Sequence, residues 1–116
     1  MGTLTTHVLD TAQGRPGVGM QVDLYRWTNG QRQLVKSVTT NGDGRCDEPL
    51  LEGRTFESGE WELQFHVGRY FTEQALDQSD PPFLSQIPVR FTIARDGHYH
   101  VPLLVSPWSY TTYRGS

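Results

Sequence analysis

Apolar and polar residues alternate along most of this chain with a period of two. Trp61-Glu62-Leu63-Gln64-Phe65-His66-Val67 alternates without a break, the pattern of a strand with one wet face. Met20-Gln21-Val22-Asp23-Leu24 repeats it, with Tyr25-Arg26-Trp27 carrying it on, and Val89-Arg90-Phe91-Thr92-Ile93 adds β-branched and aromatic residues. Leu4 to Asp10 and Leu34 to Thr40 are strand-like but less regular. Turn residues separate these runs: Gln13-Gly14-Arg15-Pro16-Gly17, Thr28-Asn29-Gly30, Asn41-Gly42-Asp43-Gly44, Glu57-Ser58-Gly59 and Arg95-Asp96-Gly97. Asn-Gly and Asp-Gly pairs tolerate the positive φ of tight turns. Short strands punctuated in this way predict an all-β antiparallel sandwich. Arg69 to Leu76 breaks the alternation, and Tyr70, Phe71, Gln74 and Ala75 fit one face of a two-turn helix. Asp80-Pro81-Pro82-Phe83 then reads as a loop, because consecutive prolines cannot continue a helix.

One strand is apolar on both sides. Tyr99, Val101, Leu103 and Val105 form one face, while the other carries His98, His100, Pro102 and Leu104, which is not an ordinary solvated set. Small folded chains rarely leave large apolar patches bare, so a second copy of the chain is the expected cover. Pro102 has no N–H to give a ladder and marks an irregular position or an unpaired strand side.

Composition narrows the class. A length of 116 residues suits a single domain over 1–116. Twelve Gly and seven Pro fall short of a disordered composition. The net charge is −3, and the basic residues are scattered rather than clustered, so no nucleic-acid footprint is present. One cysteine, Cys46, allows neither an internal disulfide nor a multi-cysteine metal site. The longest non-polar run, Val101 to Val105, is far below the roughly 20 residues of a membrane span. Met1 to Thr5 lacks the basic start and apolar stretch of a secretion signal, so no membrane association and a cytoplasmic location are expected.

Candidate chemistry lies in the histidines and the tail. His66 sits in the polar phase of a strand and reads as solvated, and His7 shares a strand face with Thr5 and Leu9. His98 and His100 point the same way, a weak metal signal without a third ligand. The turn at Gly42-Asp43-Gly44 lacks the distal Glu of a calcium loop and reads as a hairpin turn. Arg45 follows it as a surface charge or an anion contact. The tail Ser106 to Ser116 packs three aromatics into eleven positions, as either a terminal strand or a frayed end.

Three motifs, in order, resemble one family. His7-Val8-Leu9-Asp10 with Gly14 and Pro16 is similar to the N-terminal signature of the transthyretin-like family. Tyr99 to Tyr110 is similar to its C-terminal signature, and Tyr113-Arg114-Gly115-Ser116 to the ending of its enzyme branch, the 5-hydroxyisourate hydrolases. The resemblance implies a sandwich of about eight strands with one short helix, assembled as a homotetramer (a dimer of dimers) with clefts where dimers meet. It implies hydrolysis of 5-hydroxyisourate to 2-oxo-4-hydroxy-4-carboxy-5-ureidoimidazoline in urate catabolism, without metal or cofactor. Carried over residue by residue, it makes His7, Arg45, His100 and Ser116 catalytic, and His7, Arg45 and Tyr113 substrate-binding. Gly17, Met20 and Val105 depart from the usual pattern, none at a catalytic position.

Overall fold

The structure is a computed structural model and describes residues 2–115. Its strands are β1 (Thr3–Asp10), β2 (Arg15–Pro16), β3 (Gln21–Thr28), β4 (Gln31–Thr39), β5 (Leu51–Glu52), β6 (Gly59–Phe65), β7 (Ile87–Ile93), β8 (His98–Val105) and β9 (Tyr110–Thr112). One helix, α1 (Val67–Glu73), follows β6, and a single 3-10 turn covers Gly53–Thr55. The strands form two sheets. One has the order β4-β3-β6-β7; the other is β2-β1-β8-β9, with β5 also on β1. The expected all-β sandwich is therefore present.

Period-two alternation drives the layering. The even positions of β1 (Leu4, Thr6, Val8, Asp10) are buried and its odd positions half-buried. The odd positions of β8 face the same core, which Leu24, Leu63, Phe65 and Ile87 fill from the opposite sheet. Burying such side chains contributes about 1.5–3 kcal/mol each. At the end of β1, Asp10 accepts hydrogen bonds from Tyr70 Oη (2.8 Å), the Gln13 amide (2.9 Å) and Gln13 Nε2 (2.7 Å). That cluster ties the sheet to α1, and burial beside Asp10 keeps the Tyr70 phenol protonated.

Several details differ from the sequence reading. β1 and β8 run parallel, not antiparallel, with Thr3 opposite His98 and Asp10 opposite Val105. The chain reaches them only after crossing between sheets, so no hairpin forces their direction. In β3 the apolar phase changes sides after Leu24. The β3–β6 register is continuous, so Tyr25 and Trp27 join Asp23 on the outer face, where Arg32 and Arg90 lie over their rings at 4.0 and 3.8 Å. The helix begins at Val67, two residues earlier than expected, and ends before Ala75, whose φ is +57°. His66 is not a solvated strand residue. It stands between β6 and α1, half-buried, with Nε2 at 2.7 Å from Asp23 Oδ2.

The Asn29-Gly30 turn joins β3 to β4, both residues at positive φ as a tight hairpin requires. Asn41–Gly44 is not a hairpin turn. It carries the chain from β4 in one sheet to the edge of β1 in the other, closing on itself through Gly44 N–H to Asn41 C=O (2.9 Å) and Asn41 N–H to Arg45 C=O (2.8 Å). Asn41 Oδ1 accepts from the Asp43 and Arg45 amides. Gly44 has φ +75°, and a Cβ there would stand 2.4 Å from the Val8 carbonyl oxygen. We expect Gly44→Ala to lower stability by about 1–3 kcal/mol from backbone strain and to displace Arg45. An unchanged urea midpoint would contradict this account of the turn.

Candidate active site

The site lies on the outer face of the β1–β8 pair. Parallel register sets Thr5 opposite His100 and Thr3 opposite His98, and His7 stands two residues beyond Thr5, about 7 Å along the strand. The other edge of β1 is covered in pieces. β5 pairs at Thr3 and Leu4, Arg45 bridges His7, and β2 pairs at Leu9 and Asp10. Backbone bonds pin this edge at Val8 N–H to Gly44 C=O and Leu50 N–H to Leu4 C=O, both 2.8 Å. Between those pins residues 46–49 leave the edge. A cleft of about 360 Å³ opens there, lined by Thr5, Thr6, Arg45, Cys46, Asp47, Glu48, Pro49, His98 and His100. The break in edge pairing is thus what creates the cavity.

Each side chain has a defined hold. His7 Nε2 lies 3.0 Å from the Asp43 carbonyl oxygen. A carbonyl only accepts, so this nitrogen carries the proton and Nδ1 keeps the free lone pair. His100 Nδ1 is 2.8 Å from Thr5 Oγ1. The same arrangement recurs one rung away, where His98 Nδ1 meets Thr3 Oγ1 at 2.5 Å, and the two imidazoles stack 6.3 Å apart at an interplanar angle of 8°. The Gly115 amide donates to the His100 carbonyl at 2.7 Å. A Cβ on Gly115 would sit 2.7 Å from His100 Cδ2, so only glycine lets the tail lie against this ring. Arg45 is exposed and, among the described residues, makes no ion pair.

Electrostatics favour neutral imidazoles. Burial first, then the positive Arg45, pushes the proton affinity of His7 below the usual histidine value; the Asp43 carbonyl opposes this in part. His100 is lowered by burial, then by Arg45, His7 and His98. Two neutral rings beside a guanidinium that is unpaired among the described residues can accept a proton, return it and stabilise negative charge on an oxygen.

The structure brings His7, Arg45 and His100 together. Tyr113 lies apart. It is 57% exposed and borders a separate, apolar groove with Val89, Phe91, Tyr99 and Arg114. Ser116 lies outside the described residues. The tail does form a terminal strand, β9, in register with the Gly115–His100 bridge, and regular pairing lapses opposite Pro102, which has no N–H to offer. Among the described residues no three His, Cys, Asp or Glu side chains are grouped to hold a metal. Sequence reasoning missed Thr5, the Asp43 carbonyl and the acidic pair Asp47 and Glu48 on the cleft wall. The period-two spacing of Thr3, Thr5 and His7 was the available signal for the first.

A family model described as HIUase/Transthyretin matches residues 4–115. The chain belongs to the HIUase/transthyretin family. It is 56% identical to 5-hydroxyisourate hydrolase 2 of Rhizobium meliloti (strain 1021), over 99% of this chain and 97% of that protein. Its fold superposes on (S)-allantoin synthase with a TM-score of 0.93 at 48% identity, covering 99% of this chain but 44% of that longer one. Sea bream transthyretin, solved in complex with thyroxine, gives a TM-score of 0.87 at 27% identity, covering 97% of this chain and 94% of that one. Proteins named as enzymes and a transthyretin solved with thyroxine thus share one sandwich, so the fold alone does not fix the function.

Because both histidines titrate low, each stays neutral at pH 7, and the neutral form is lost only as pH falls through the depressed value. NMR titration should give His7 and His100 midpoints below the ordinary 6.5, and Arg45→Gln should raise both by removing a nearby positive charge. Midpoints at or above 6.5, or indifference to the substitution, would refute this electrostatic picture.

Proposed function

We propose that the chain hydrolyses 5-hydroxyisourate to 2-oxo-4-hydroxy-4-carboxy-5-ureidoimidazoline, a step of urate catabolism, as a homotetramer of one-domain subunits in the cytoplasm. The observation that carries this reading is the convergence of two imidazoles and a guanidinium, His7, His100 and Arg45, on one sheet face beside a cleft. Hydrolases named for this substrate, at high identity over the whole chain, support it.

The chemistry follows from the side chains. His100 takes a proton from water as the water oxygen attacks C6 of the substrate. The carbonyl electron pair moves onto the C6 oxygen, where Arg45 stabilises the charge. Collapse of this adduct breaks the C6–N1 bond. N1 receives the proton that the imidazoles hold and becomes the end of the ureido group, while C6 becomes a carboxylate, with the remaining proton lost to solvent. His7 orients the substrate and shuttles protons. The tail residues Tyr113 and Ser116 are assigned to substrate contact by the family resemblance alone.

The homotetramer reading rests on surface chemistry. Trp108, Tyr110 and Tyr113 are 55%, 44% and 57% exposed along the terminal segment, whose strand β9 pairs with β8. An exposed aromatic row suits burial by a neighbouring copy, and it would let the tail of one subunit help to complete the site of another. No helix among the described residues is long and apolar enough to cross a membrane.

An assay that oxidises urate and follows decay of the unstable product tests the reading directly, with faster decay expected in the presence of the protein. His100→Ala should lower kcat by at least about 10²-fold as a lost general base. Arg45→Lys should also lose much of the rate, since a point charge cannot copy a planar fork. Decay at the uncatalysed rate would reject the hydrolase assignment.

A further inference from the structure

The two imidazoles of the site are held through opposite nitrogens. His7 Nε2 faces the Asp43 carbonyl, whereas His100 is held at Nδ1, 2.8 Å from Thr5 Oγ1. Which ring nitrogen carries the proton in a neutral histidine is set by the hydrogen bond the other one makes. The far edge of the His100 ring lies against the Gly115 backbone at Cδ2. Nε2 has no hydrogen-bond partner among the described residues, and both Thr5 and His100 line the cleft.

We propose that Thr5 is a positioning residue for the reaction: its hydroxyl oxygen accepts from His100 Nδ1–H, fixing the ring in the tautomer whose Nε2 lone pair is free to take a proton in the cleft. The proposal rests on His100 acting as the base in the function proposed above. The parallel register makes the contact possible, because it aligns Thr5 with His100 on one face without a side chain between them. A hydroxyl can serve either as donor or as acceptor. Only the accepting role leaves a base at Nε2, since a neutral imidazole with Nδ1 unprotonated must carry its proton on Nε2. With His7 in the Nε2–H form, the site then offers one lone pair at Nδ1 and one at Nε2. The Thr3–His98 rung has the same hydroxyl-to-Nδ1 geometry around an exposed ring, so it supplies an internal control.

The test uses Thr5→Val, which keeps shape and removes the hydroxyl, Thr5→Ser, which restores it, and Thr3→Val as the control. Thr5→Val should lower kcat about tenfold, the worth of one neutral hydrogen bond, and change KM less than twofold. Thr5→Ser should recover most of the rate, and Thr3→Val should keep it. Independently of turnover, ring ¹⁵N shifts above the His100 midpoint should report Nδ1–H in the native protein and in Thr5→Ser, and a mixture shifted toward Nε2–H in Thr5→Val. Wild-type kcat in Thr5→Val, an equal loss in Thr3→Val, or an Nε2–H tautomer in the native protein would overturn the proposal. A native protein with the Nδ1–H tautomer but no turnover of 5-hydroxyisourate would instead overturn the functional reading and leave the Thr5 contact established.

Discussion

Everything at the site depends on the parallel register between β1 and β8. The two strands are far apart in sequence, and a slip of one residue would flip one strand against the other. His7 would turn inward and Leu4 and Val8 out if β1 moved, or His98 and His100 inward and Val101 and Leu103 out if β8 moved. The hydrophobic core therefore specifies the face that carries His7, His98 and His100 as strictly as it specifies the fold. Leu4, Val8 and Leu103 are fully buried, and their burial holds the histidines outward on the alternate positions. Stability and function are written on opposite sides of the same two strands.

A second constraint is the broken edge of β1. A continuous neighbouring strand would satisfy the backbone but leave no room for a ligand. Three short contacts do the work instead, with Gly44 packed against the Val8 carbonyl and Leu50 bonded to Leu4. Arg45 owes its place to the first of these pins. Its exposed guanidinium lowers the proton affinity of both imidazoles while remaining free to meet an anion. Burial first, and this cation after it, lower the proton affinity of both imidazoles, and in the proposed reaction the same cation would stabilise the negative charge that develops.

Much of this was legible in the residues. The alternation of Trp61 to Phe65 and Val89 to Ile93, the Asn29-Gly30 turn and the two-sided strand at 99–105 each led to the observed element. Local patterns did not reveal direction or partner. Nothing in Leu4 to Asp10 says that it lies parallel to His98–Val105, because that pairing is decided by long-range packing rather than by a connecting turn. The same limit applies at Asn41–Gly44: its turn chemistry reads as a hairpin, but its destination is the opposite sheet. Alternation runs on through His66, but the chain turns into α1 there, and Asp23 provides a partner that the sequence spacing does not suggest. Tyr25 and Trp27 changed face because a continuous register to β6 outweighed the local preference of aromatics for the core.

The sandwich itself is indifferent to chemistry. Sea bream transthyretin shares it at a TM-score of 0.87 with only 27% identity, so burial of the inner face tolerates wide substitution so long as volume and alternation are kept. The outer face of β1 and β8 has no such freedom if it is to activate water. An imidazole there must be partly desolvated to stay neutral, held through one nitrogen to leave the other available, and placed near a positive charge that is not already neutralised. Thr5, the Asp43 carbonyl and Gly115 meet those demands from the outer face, and Gly44 does so by packing against the backbone of Val8. A family built on this sandwich can therefore gain or lose catalysis by changing a few outward residues, because the alternation that buries the core leaves the other half of each strand free to vary.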